Sequence, residues 1–99
     1  MPHAQALVLT RDPSRAAAEL AARLRHEFET EWAAEAGFVK LAEGTCSMHA
    51  WPEGLRLDAV AKSGEDLARI ETFIAEQLGA NGGPQVVWRR RPLAELPQI

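Results

Sequence analysis

Apolar residues fall first into a short unbroken run, then a helical stripe, then strict alternation, then a second stripe. The run AQALVLT, Ala4 to Thr10, has no helical period and predicts a strand. Asp12 offers an N-cap oxygen and Pro13 a first helical residue. Ala17, Leu20, Ala21, Leu24 and Phe28 then form one stripe, which predicts an amphipathic helix with a single buried face. From Phe28 to Ala61 the period drops to two. Thr30 and Trp32, Val39 and Leu41, Cys46, Met48 and Ala50, and Leu55, Leu57 and Ala59 take one side of successive strands. The breaks EAG, EG and PEG separate these strands, so their glycines read as turn residues of an antiparallel meander. Ser63 is the N-cap of a second helix, with Asp66 placed as in a capping box and Gly79 as its C-cap. Leu67, Ile70, Ile74 and Leu78 form its stripe. GANGGP is a turn, QVVWRRR a last strand, and Pro92 and Pro97 mark an irregular tail over 92–99.

The order is β-α-β-β-β-β-α-β, an α+β class. Two helices cannot cover both faces of a sheet this wide, so both belong on one face and the other stays open. The expected architecture is one two-layer domain over 1–99, its core at roughly 4–91. It has a mostly antiparallel sheet of five to six strands and resembles the saddle-shaped TBP-like folds.

Hydrophobic residues make up 46% and charged residues 25% of 99 residues, which favours a globular chain over a disordered one. A net charge of −3 argues against general nucleic-acid binding, which needs a basic face. A single cysteine forms no internal disulfide, so a reducing compartment is expected. The first residues, MPHAQALVLTRDP, show no signal-peptide pattern, and no apolar run nears the roughly 20 residues that span a bilayer. A cytoplasmic protein without membrane contact is the expectation.

The stretch GTCSMHAW gathers Cys46, Met48 and His49, three metal-ligand types. On a strand Cys46 and Met48 point to one face and His49 to the other, so the three cannot converge on one ion. Cys46 and Met48 share the apolar side and read as core; no metal site and no cofactor follow. His26, after the first helix, and His49, on the open face, are the candidate catalytic residues, with Asp58 or Glu31 as a cross-strand carboxylate for His49. His3 reads as part of a disordered terminus. In WRRR, Arg89 and Arg91 share one face and Arg90 takes the other. Ion pairing to Glu27, Glu29, Glu31 or Glu35 within the chain is the expected role of these arginines. The open face collects Phe38, Ser47, His49, Trp51, Val60, Val87, Arg89 and Arg91. Aromatic, aliphatic and arginine residues together suit a protein interface, with Phe38, Trp51, Val60, Val87, Arg89 and Arg91 as its members.

The run EWAAEAGFVKLAEGTCSM resembles the centre of a bacterial family known as the domain of unknown function DUF2218. The matching positions are Leu24 and His26, Glu31-Trp32 through Gly37, Gly44-Thr45-Cys46, and Val86 to Trp88. The chain departs from the family pattern at Glu27, where a lysine is usual, and at Gln77, where a histidine is frequent. The resemblance implies an α+β fold and no established activity. It also implies an association with flavin-dependent siderophore-interacting reductases, and through them with iron handling. The expected function is therefore a non-catalytic binding or accessory module. It would act through the open sheet face, as a homodimer or on a protein partner such as that reductase. The alternative is a small enzyme or ligand-binding protein with His26 or His49 in a pocket between the first helix and the sheet.

Overall fold

A computed structural model describes residues 2–79 and 86–91. The elements run β1 (His3–Val8), α1 (Pro13–Leu24), β2 (Glu29–Ala33), β3 (Ala36–Lys40), β4 (Gly44–Trp51), β5 (Gly54–Ala61), α2 (Gly64–Gly79) and β6 (Arg89–Arg91). The strands form one sheet in the order β2-β3-β4-β5-β1-β6, and every neighbouring pair is antiparallel. The fold class, element order and strand count agree with the alternation read from the sequence. The loop at 80–85 and the tail at 92–99, read as turn and irregular chain, lie outside the described residues, as does the side chain of Arg91.

Both helices pack on the same face. α1 lies against β2, β4 and β5, and α2 against β5, β4 and β1. Between them sit Ala17, Leu20 and Leu24 of α1, Leu67, Ile70, Ile74 and Leu78 of α2, and the inward residues of the strands. Asp12 accepts a hydrogen bond from the Arg15 amide at 3.1 Å, and the Ser63 hydroxyl accepts one from the Asp66 amide at 3.1 Å, so both N-caps act as expected. Gly79 is still helical rather than a cap beyond the helix. The α2 C-terminus carries no basic residue in its own last turn; Arg23 of α1 supplies one, donating to the Gln77 carbonyl at 2.8 Å.

Three details differ from expectation. First, β1 begins at His3 rather than Ala4 and ends at Val8, and His3 is buried and paired with Val60 instead of disordered. Second, the QVVWRRR strand is reduced to Arg89–Arg91. Trp88, just before it, is half-buried and donates its indole N–H to the Glu71 carbonyl at 3.1 Å, which ties the approach of β6 to α2. Third, two of the hairpin glycines, Gly37 and Gly44, lie within strands rather than in the turns. The β2–β3 turn is Ala34–Glu35, closed by the pair Ala33 and Ala36, and Ala34 takes the left-handed φ of 56°. Gly37 lies inside β3 opposite Trp32, where an added Cβ would collide with the Glu31 carbonyl oxygen and stand 2.9 Å from the Trp32 Cα and its indole Cε3. Gly44 opens β4 against the Ala61 backbone and the Ile70 side chain, each 3.0 Å from such a Cβ. Gly37 and Gly44 make room for cross-strand and helix packing, whereas Gly54, directly after the β4–β5 turn, takes a positive φ of 156°.

Two substitutions separate these roles. Gly37→Ala forces the Trp32 indole and the neighbouring backbone apart and should cost about 1–3 kcal/mol, the usual range for overpacking. Ala34→Gly relieves a backbone conformation that costs an L-residue about 1–2 kcal/mol, partly offset by unfolded-chain entropy, and should leave stability equal or higher. Urea unfolding of the two variants against wild type measures both. Equal destabilisation by the two would return the turn to the glycine.

Candidate functional site

The meander's alternation creates two unlike surfaces. Cys46 and Met48 of β4 and Leu55, Leu57, Ala59 and Ala61 of β5 are buried beneath the helices. Burial pushes the Cys46 thiol up to about 12, with the Asp58 carboxylate adding to the shift. A thiol held this tightly in its protonated form is neither a nucleophile nor a ready metal ligand. Among the described residues no group of three His, Cys, Asp or Glu side chains is placed to hold a metal ion.

On the other face one cross-strand row runs Glu31, Phe38, Ser47, Asp58, Gln5, Arg89, from β2 to β6. Asp58 is its hub. Its Oδ1 accepts from the Gln5 amide at 2.8 Å and lies 3.3 Å from His3 Nε2, while its Oδ2 accepts from Arg56 Nε at 3.1 Å. The Arg56 guanidinium also lies over the Trp51 ring, 5.2 Å from its centroid. This network ties the side chains of Gln5, His3 and Arg56 to one carboxylate. The Nδ1 of buried His3 has no partner among the described residues.

Beside the network lies a groove of about 390 Å³ along β1, lined by Gln5, Ala6, Leu7, Trp51, Arg56, Val87 and Arg89. Leu7, Trp51 and Val87 are 47%, 44% and 67% exposed, an apolar strip that the described elements leave in water. Of the expected interface residues, Trp51, Val87 and Arg89 line this groove. Phe38 and Val60 are half-buried on the same face. Arg91 ends β6 opposite His3. Gln5, Leu7 and Arg56 escaped the sequence reading. Arg56 and Asp58, two apart on one strand and opposite in charge, were the available signal.

The basic cluster divides as its alternation requires, with partners other than those expected. Arg90 turns to the helix layer and makes a two-point ion pair with Glu71 of α2, at 3.0 and 3.3 Å, which raises its pKa further. Of the acidic residues proposed as partners, Glu29 pairs with Lys40 instead, at 3.0 Å. Arg89 makes no ion pair among the described residues.

His26 is exposed in the turn after α1. His49 is exposed on the open face, between Ala36 and Arg56, and Asp58 is already engaged by Arg56, Gln5 and His3. The two histidines therefore lie on different elements, one in the turn after α1 and one on β4. Among the described residues neither makes a side-chain hydrogen bond or ion pair. The buried histidine beside a carboxylate is His3.

Two helices on one face of a six-stranded antiparallel sheet define an α+β class. The chain belongs to DUF2218, a family of uncharacterised proteins conserved in bacteria, whose model matches residues 5–89. It is similar in structure to PA4090 from Pseudomonas aeruginosa, solved by NMR: the TM-score is 0.70 at 21% identity, over 89% of this chain and 94% of that one. At that identity the likeness concerns the fold. No curated protein matches the chain. No helix among the described residues is long and apolar enough to cross a membrane.

The raised thiol pKa has a signed consequence. The folded chain keeps the Cys46 proton to about 12, whereas an unfolded thiol loses it near 8.5. Below the unfolded value the group leaves stability unchanged. Between the two values stability falls by roughly 1.4 kcal/mol per pH unit. Urea midpoints measured from pH 7 to 11 should show that decline in wild type and a flatter profile in Cys46→Ala, which starts lower because of its cavity. Thiol reagents should react with native protein only at the rate of opening.

Proposed function

We propose that this chain is a non-catalytic binding module that works through its open sheet face, first as a homodimer and second by docking on another protein. One observation carries the reading: exposed Leu7, Trp51 and Val87 line a single groove together with Arg56 and Arg89. Aromatic and aliphatic anchors with arginine beside them are the composition of an interface core, and a lone exposed leucine is not. The Asp58 network supports the reading in a second way. Gln5 and Arg56 are already ordered, so little side-chain freedom is lost when a partner arrives. A homodimer ranks first because a two-fold contact needs no second gene product. The family resemblance supplies the second occupant, a flavin-dependent reductase in iron handling, docked on the same groove.

Trp51→Arg places a second cation against Arg56 and removes the largest exposed anchor of the groove. It should abolish self-association in sedimentation experiments while the circular dichroism of the folded monomer is retained. Association unchanged by this substitution overturns the reading.

A further inference from the structure

We infer that two copies pack open face to open face about a two-fold axis running parallel to the strands, between β4 and β5. Glu31 of one copy then faces Arg89 of the other. This rests on the reading of the open face as an interaction surface and adds the orientation and the contacts.

The inference follows from the order of the sheet. β4 and β5 are its middle strands, with β2 and β3 on one side and β1 and β6 on the other. A two-fold axis along the strands lays each copy's β2 edge over its partner's β6 edge. It also leaves positions along the strand direction unchanged, so every cross-strand row meets the same row of the partner. The row Glu31, Phe38, Ser47, Asp58, Gln5, Arg89 is therefore read in reverse by itself. Glu31 meets Arg89, Phe38 meets Gln5, and Ser47 meets Asp58, each contact occurring twice.

All three contacts are chemically sensible. Glu31 and Arg89 are exposed, opposite in charge and at opposite edges. Phe38, half-buried in its own chain, comes down over Gln5 at the groove beside Leu7. A phenylalanine ring is a suitable filler for a groove walled by Leu7, Trp51 and Val87. The Ser47 hydroxyl donates toward a carboxylate. A two-fold axis across the strands and through this row does the opposite: it sets Arg89 against Arg89 and Glu31 against Glu31, with like charges repelling at both edges. Five inter-strand steps of about 4.8 Å make the face roughly 24 Å wide. With strands of up to eight residues, its area is on the scale of the ~800 Å² each partner gives to a standard interface. The natural twist of each sheet rotates the two by about 30° about the centre, which offsets the edge rows by roughly 6 Å, a gap that the long Glu31 and Arg89 side chains span.

Charge reversal tests the orientation. In Glu31→Arg both edge contacts of the homodimer become repulsive, and the same holds for Arg89→Glu, so each single variant should dimerise roughly tenfold more weakly than wild type. A 1:1 mixture of the two single variants should recover wild-type affinity, since one edge of that heterodimer is native and the other is a reversed pair. The double variant should recover it as well. Light scattering and sedimentation velocity on the full chain, with circular dichroism to confirm folding, read all of these. If Trp51→Arg is monomeric but both charge variants dimerise as wild type does, the face is used and the orientation is wrong. If mixing fails to repair weakened single variants, Glu31 and Arg89 do not meet across the interface. If Trp51→Arg dimerises normally, or wild type is monomeric at every concentration, the reading of the face falls with it.

Discussion

β5 is the strand on which the two layers meet. Leu55, Leu57, Ala59 and Ala61 point under both helices, and Arg56, Asp58 and Val60 point the other way. It is hydrogen-bonded on both sides, to β4 and to β1. A slip of one residue in its register would bury Arg56 and Asp58 beneath α1 and α2 and expose two leucines. The free-energy penalty of burying that charged pair without the ordered ligands it now has holds the register in place. Everything on the open face inherits its position from this constraint. The Asp58 hub, the groove along β1 and the cross-strand row from Glu31 to Arg89 are where they are because β5 alternates without a break.

The positions that carry the family resemblance turn out to be packing positions. Trp32 needs a residue without a side chain opposite it, and Gly37 provides that. Gly44 admits Ile70 of α2 close to the start of β4. Cys46 is enclosed core, and Trp88 anchors the chain before β6 through the Glu71 carbonyl. These are requirements of a wide sheet under two short helices. Recognising them identifies the fold and leaves the surface, where a function resides, open to vary. His26 and Glu31 are motif residues that stand in water.

The helices and the four-strand meander were readable because each buries a single face, and period and burial coincide there. β1 was read as a strand but not as a two-sided one. Its inward residues are Ala4, Ala6 and Val8, while Leu7 and Leu9 face solvent, so apolar character does not alternate and the outward leucines are invisible to pattern. His3 was misjudged for its place near the chain start, although its partner Val60 lies far away in sequence. The β2–β3 turn differs from the glycine signal because alanine carries the left-handed conformation there, while the PEG break coincides with the β4–β5 turn. The candidate site was legible in part. Trp51, Val87 and Arg89 follow from strand parity alone. The groove and the Asp58 network depend on which strands are neighbours, and the insertion of β1 between β5 and β6 is not a local property of any segment.

That insertion also sets the order in which the chain can be completed during synthesis. β1 and α1 are made first, and α1 can curl at once because its contacts are local. β1 cannot: its two neighbours are built from residues 54–61 and 89–91. As the ribosome advances, β2 to β5 can zip into hairpins in sequence, each through a short turn, while β1 trails with both hydrogen-bonding edges bare and leucines on its outer side. It docks only when β5 has left the exit tunnel, and β6 seals its last edge at the very end of the fold. Until β5 emerges, the nascent chain thus carries an unpaired strand that is open to pairing with other chains.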